Sequence, residues 1–333
     1  VLHVEVVSSR GPDRRGQVCW RLGEASREQF CVQDKVSVDA RMRYNAATNS
    51  HSDSRAVMIP SLRAGAILTA FFALTLPLMP VQAVLLRLGM RGKRPPLRHF
   101  PNWYHRQLCR LLGVRLHIEG ELTPGTPTLL LANHVSWLDI PVMSAMAPVS
   151  FVAKREVGTW PMVRTLARLQ RTVFVDRERK LTVGATTSEI EQRLDAGDAV
   201  VLFAEGTSND GNRVLPFRSA LIGAAGVDQP RKGAQAGAAL RLEVRTLALA
   251  YTHRHGIPLD RFQRHDIAWY GDMKLGGHVW TLIKSGPIDV HLRIGEAISL
   301  EAFAGRKALA QHAEMEVRAT VARLLRDAGH GVA

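Results

Sequence analysis

Apolar residues are distributed along this chain in two ways. From Ala64 to Leu86 run 23 residues without a formal charge, AGAILTAFFALTLPLMPVQAVLL. As one helix they would extend roughly 34 Å, enough for a hydrocarbon core of about 30 Å. Pro77 and Pro80 each remove a backbone donor, so the pattern predicts a kinked span or a helix pair dipping into one leaflet. A buried core helix is the plainer alternative. From about residue 100 the pattern changes to short apolar runs of strand length: Thr128–Ala132, Arg171–Val175, Ala199–Phe203 and Leu247–Tyr251. Between the second and third, Val183, Ile190 and Leu194 suit one face of a helix over Lys180–Leu194. Glu301–Arg326 places Phe303, Leu309, Val317 and Val321 among charges, as an amphipathic terminal helix does. Buried strands separated by helices predict an α/β fold, with a central mostly parallel or mixed sheet flanked by helices. An N-terminal hydrophobic membrane-anchoring helix or helix pair would precede it.

Polar patterning divides the rest. Residues 1–57 carry a small, polar run at Asn45–Ser54 with no period of 2 or 3.6, and Met58 stands just before the apolar stretch. The expectation is a disordered tail, or a start site placed too far upstream. Residues 58–99 are assigned to a membrane anchor and basic collar, and 100–333 to the catalytic domain. Gln229–Ala239 reads as a surface loop.

Charge decides which side of the membrane holds the domain. Arg87 to His117 carries eight basic residues (Arg87, Arg91, Lys93, Arg94, Arg98, Arg106, Arg110, Arg115) and no acidic one. A secretory signal peptide with a cleavage site near Val81-Gln82-Ala83 would compete, but such a basic collar argues for retention. The expected location is the inner membrane, with the domain on its cytoplasmic face. Across 333 residues, 44 Lys and Arg against 30 Asp and Glu give +14, which calls for an anionic partner. An anionic membrane surface suits a collar beside an apolar run. A nucleic-acid partner is not expected, because no helix-turn-helix, ribonucleoprotein or finger pattern is present. Three cysteines without a C-x-x-C pair exclude a disulfide scaffold, a zinc ribbon and a thioredoxin-like site.

Three constellations carry chemistry. Asn133-His134-Val135-Ser136-Trp137-Leu138-Asp139 follows the first strand. Asp139 could hold one ring nitrogen of His134 and leave the other to take a proton. Ser136 reads as a helix cap, since it lacks the G-x-S-x-G elbow of a nucleophile. Backbone amides at the start of the following helix could serve an oxyanion. Val173-Phe174-Val175-Asp176-Arg177 puts an arginine at a strand end, suited to phosphate or to a salt bridge. Phe203-Ala204-Glu205-Gly206-Thr207 ends another strand in a turn that lets backbone approach a ligand, or that is merely a tight turn. No metal site is expected.

In this order and spacing, N-H-x4-D, V-F-V-D-R and F-A-E-G-T resemble the glycerolipid acyltransferases, specifically the bacterial 1-acylglycerol-3-phosphate acyltransferases, over about Arg98 to Leu300. The resemblance implies transfer of a fatty acyl group from an acyl-CoA or acyl carrier protein thioester to a lysolipid hydroxyl, with no cofactor and no metal. It implies that His134 is the general base and Asp139 its orienting partner. Arg177, Glu205, Gly206 and Thr207 would bind the acceptor headgroup. Ser208 stands where the family usually has arginine, and Arg218 or Arg213 is a candidate to replace that cation. Ser208–Leu221, Ala268–Met273 and Lys284-Ser285-Gly286-Pro287 look like the lyso-ornithine lipid O-acyltransferase branch. Lysophosphatidate and lyso-ornithine lipid both stay open as acceptors. A lipid hydrolase of the same geometry is the rival enzyme.

Overall fold

A computed structural model describes residues 4–7, 18–22, 29–32, 54–89, 96–154, 161–175, 183–195, 198–225, 227 and 242–329. The chain divides into two compact units, Val1–Ser61 and Leu62–Ala333. In the first, β1 (Val4–Val7), β2 (Val18–Leu22) and β3 (Gln29–Val32) pair antiparallel in that order. Residues 33–53, with the polar run, lie outside the described residues, as do 228–241 with the expected surface loop.

Helix α1 (Ser54–Gly89) continues through Pro77 and Pro80, where the sequence predicts an interruption. Its stretch Ile59–Leu88 is long and apolar enough to cross a membrane. Helices tolerate proline in such a setting because neighbouring polar groups satisfy the freed carbonyls. Ala64 and Ile67 are buried, with Leu68 and Phe71 beside them, on the stripe that packs against the domain. Leu62, Phe72, Leu76, Val84 and Leu88 are exposed on the rest of the surface. Farther along the packed stripe, Thr75 Oγ1 meets the hydroxyl of Tyr104 at 2.7 Å, and Gln82 Nε2 donates to Leu169 O at 3.1 Å.

Helix α2 (Pro96–Leu112) leads through Gly113 into the main sheet. Strands β4 (Val114–Glu119), β5 (Thr128–Ala132), β6 (Val149–Lys154), β7 (Val173–Val175), β8 (Ala199–Phe203), β9 (Glu243–Arg254) and β11 (Ile288–Ile294) run in the order β4-β11-β9-β5-β8-β6-β7. The short β10 (Ile257–Pro258) extends β9 as a hairpin. Every neighbouring pair on the main path is parallel except β11–β9, so the sheet is mixed, with a parallel core. Helices α3 (Asp139–Met146), α4 (Pro161–Leu169), α5 (Val183–Asp195), α6 (Ser219–Ala224), α7 (Leu275–Lys284) and α8 (Arg306–Gly329) complete the domain. One core, around Leu130, Met143, Phe151, Leu249 and Val290, lies on the α1–α3 face. The other, around Leu129, Val200, Ile190 and Val317, lies under α5 and α8. Every residue of β5 is buried, as a strand covered on both faces requires.

Candidate active site

The carboxyl ends of β5 and β8 are neighbours, so two sequence blocks 71 residues apart meet there. The chain leaves β5 through Asn133, whose side-chain amide donates to Leu249 O at 2.9 Å and accepts from Leu249 N at 2.8 Å. This two-way bond pins the turn to β9. His134 follows, its ring stacked on Phe203 with centroids 4.0 Å apart. Its Nδ1 lies 2.7 Å from Asp139 Oδ2.

Asp139 is fully buried, yet none of its charge is unmet. Besides His134, the amides of Val135 and Ser136 donate to Oδ2 at 2.7 and 3.0 Å, and the Tyr251 hydroxyl donates to Oδ1 at 2.8 Å. Three fixed donors require an acceptor-only carboxylate, so Nδ1 of His134 is the protonated nitrogen and Nε2 carries the lone pair. The pair is thus arranged as a general base with a clamped orienting group. Burial, and then Asp139, push the Tyr251 hydroxyl well above its ordinary range, which keeps it a donor.

Two details differ from the sequence reading. Ser136 does not cap α3 with its hydroxyl, which is buried without a partner among the described residues. Asp139, in the first turn, instead reaches back to the Ser136 amide. Two of the amides between His134 and α3, those of Val135 and Ser136, are committed to Asp139.

The Glu205 block is laced to the His134 turn. Ala204 N donates to Ala132 O at 3.1 Å, and Asn209 N donates to His134 O at 3.1 Å. Glu205 is 1% exposed. Its Oε1 accepts from His134 N at 2.9 Å, and Oε2 accepts from Asn209 Nδ2 at 2.6 Å and Leu215 N at 3.0 Å. Burial pushes its carboxyl up to about 7 against the pull of those donors. Both carboxylate oxygens face protein groups. Gly206, at φ 76°, makes the turn that follows, in a conformation glycine adopts without strain. Thr207 and Arg218 are exposed at the rim, and Arg218 Nε donates to Glu205 O at 3.1 Å. Gly211, at φ 73°, closes the loop against Val135, whose Cγ1 a β-carbon would meet at 3.1 Å.

The structure thus brings His134, Asp139, Glu205, Gly206, Thr207 and Arg218 to one end of the sheet. Arg177 lies outside the described residues. Among those described, no group of three His, Cys, Asp or Glu side chains stands where it could hold a metal ion. Tyr251 is the contributor that sequence reading missed, and Asn133, though part of the N-H-x4-D motif, had no role assigned to it there. A lone tyrosine closing the apolar run LALAY was the available signal, since a buried hydroxyl needs a partner.

The profile of the acyltransferase family matches residues 113–227, spanning both blocks. The chain is 45% identical to the lyso-ornithine lipid O-acyltransferase of Brucella abortus over 262 residues, 79% of this chain and 95% of that protein. It is 41% identical to the enzyme of the same name from Rhizobium meliloti, covering 76% and 83% of the two chains. A 1-acyl-sn-glycerol-3-phosphate acyltransferase of Neisseria meningitidis serogroup B is 30% identical, covering 65% of this chain and 78% of its own. The crystal structure of the 1-acyl-sn-glycerophosphate acyltransferase PlsC from Thermotoga maritima superposes with a TM-score of 0.54 at 20% identity, over 80% of this chain and 95% of that one, and so shares the fold. Sequence, fold and the histidine–aspartate pair agree: this chain belongs to the acyltransferase family and is a lysolipid acyltransferase of lipid biosynthesis.

Proposed function

We propose that the enzyme transfers a fatty acyl group from a thioester, acyl-CoA or acyl carrier protein, to the free hydroxyl of lyso-ornithine lipid. The observation that carries the chemistry is the His134–Asp139 contact with Nε2 left as base. Nε2 takes the proton of the acceptor hydroxyl as its oxygen attacks the thioester carbonyl carbon. The tetrahedral intermediate collapses with cleavage of the carbon–sulfur bond, and the same proton passes to the departing thiolate. A thioester is already activated, so positioning and one proton transfer, worth roughly 10²–10⁴-fold, carry the step. No cofactor is needed.

The choice of acceptor is supported by the names of the two relatives above 40% identity and by the loop after Thr207. Ser208 removes the cation that would favour a phosphomonoester, and Arg218 and Thr207 line the rim where a zwitterionic headgroup would sit. Glu205 serves as a positioning residue, holding the His134 amide from below. Arg177 is proposed as a further headgroup contact. The outward apolar face of α1 and the basic segment after it support a seat on the inner membrane, with the domain on the cytoplasmic side.

The test is a competition between lyso-ornithine lipid and lysophosphatidate for one labelled acyl thioester. Ornithine lipid is expected as the dominant product. Dominant phosphatidate would overturn the acceptor while leaving the acyl transfer standing, and release of free fatty acid would indicate a hydrolase.

A further inference from the structure

Where α1 passes the turn between α2 and β4, a basic groove lies outside the acyl-transfer chemistry. It consists of two open pockets, of about 450 and 470 Å³, which share Arg110 and Gly113. Ala66, Ile67 and Ala70 of α1 wall the first, with Arg63 at its edge. Arg115, His255 and Pro287 bound the second. Among the described residues neither Arg63 nor Arg110 forms a salt bridge, and Arg110 Nη1 donates to the Gln107 side-chain oxygen at 3.0 Å. Arg115 is held by Asp289 at 2.8 Å.

The far wall is built for a fixed imidazole. His255 has φ 55°, uncommon for a residue with a side chain, and its amide donates to Pro287 O at 3.0 Å. Its Nε2 lies 3.0 Å from Ser285 O. The ring fills the space that a β-carbon on Gly286 would occupy. The Lys284–Pro287 stretch, prominent in the sequence yet with no part in the catalytic pair, therefore shapes this groove.

The geometry points to a site for the phosphate of an anionic phospholipid headgroup, with Arg63 and Arg110 on the phosphate oxygens and the α1 wall beside the glycerol and upper acyl chains. Two guanidiniums without acidic partners among the described residues suit the anionic oxygens of a phosphodiester in sign of charge and hydrogen-bonding geometry. The source is a lipid because the wall is the apolar helix, whose neighbouring Leu62 is exposed. β4 stands three strand positions from β5, roughly 14 Å at the usual spacing, so this phosphate would lie apart from the reacting acceptor. The inference rests on membrane association but not on the choice of acceptor.

The test uses the full chain, reconstituted on phosphatidylcholine vesicles that contain or lack phosphatidylglycerol. Arg63→Gln/Arg110→Gln is compared with Arg293→Gln/Lys307→Gln, which removes equal charge elsewhere on the surface. The groove variant is expected to lose about thirtyfold in affinity for the anionic vesicles, at about tenfold per 1.4 kcal/mol and on the order of 1 kcal/mol per basic residue. It should bind phosphatidylcholine vesicles normally and acylate detergent-dispersed lysolipid at the parent rate. Equal losses in both double variants would overturn the site in favour of diffuse charge. A loss that extends to phosphatidylcholine vesicles would mean a damaged anchor. Abolition of the parent's anionic preference by millimolar inorganic phosphate would reassign the groove to a free anion, and a defect confined to acyl carrier protein as donor would reassign it to carrier docking.

Discussion

The Asp139 carboxylate accepts four hydrogen bonds in a site closed to water, and each constrains the base beside it. An unpaired buried charge costs several kcal/mol, so the Val135 and Ser136 amides and the Tyr251 hydroxyl are what permit a carboxylate there at all. Tyr251→Phe leaves Oδ1 without its partner. The expected result is a stability loss on the order of 1–3 kcal/mol, read by chemical denaturation. The kcat/KM for acyl transfer should also fall, because a carboxylate that has lost the Tyr251 bond holds the His134 ring less firmly in place. An unchanged kcat/KM would show that Tyr251 has no hold on the dyad.

Glu205 has the opposite balance. With its carboxyl near 7 in the fold against an ordinary 4.5, the folded chain binds more proton than the unfolded chain between those values. Its contribution is fully present below about 4.5 and is lost as pH rises through about 7, on the order of 3 kcal/mol in all. Glu205→Gln is expected to remove that slope from a plot of stability against pH. A slope identical to the parent's would place the titration elsewhere.

At the scale of elements, α3 carries Asp139 at its amino end and is secured at its carboxyl end by α2. Asn102 Nδ2 donates to Ser144 O at 2.8 Å and Ala145 O at 3.0 Å, and Arg106 Nε donates to Ala145 O at 2.9 Å. His105 Nδ1 and Gln170 Nε2 both lie 2.9 Å from Ser144 Oγ. Burial lowers His105 to about 4, so this clamp stays neutral through physiological pH. Asn102→Ala strands the Ser144 carbonyl at the end of a helix, leaves Ala145 O to Arg106 alone, and is expected to cost on the order of 1–3 kcal/mol, measured as a fall in denaturation midpoint. An unchanged midpoint would mean that Arg106 suffices.

These elements differed in how far the sequence disclosed them. β5 and β8 are continuous apolar runs, and their observed bounds coincide with those read from the pattern, because burial on both faces leaves no polar position to blur the ends. β4 (VRLHIE) and β11 (IDVHLRI) keep one face partly in solvent, so their alternating polar residues dilute the signal. The reading of 87–117 as a basic collar caught its charge. It missed that Asn102, His105 and Arg106 turn inward, since a partner on another helix leaves no mark on local periodicity.

Over the whole molecule, the site exists because the sheet order places β5 between β8 and β9. His134 and Glu205 were legible as neighbours through their motifs. Tyr251, 112 residues from Asp139, became visible only when β9 was placed. The +14 charge was likewise legible in amount but not in place, for only the fold sets Arg63 beside Arg110. The proposed acyl transfer depends on one imidazole accepting a proton at that sheet end. The direct test is single-turnover acyl transfer by His134→Ala, in vesicles carrying lyso-ornithine lipid and a labelled acyl thioester, with circular dichroism matched to the parent. The account expects a fall of roughly 10²–10⁴-fold in formation of ornithine lipid. A single-turnover rate equal to the parent's would contradict it.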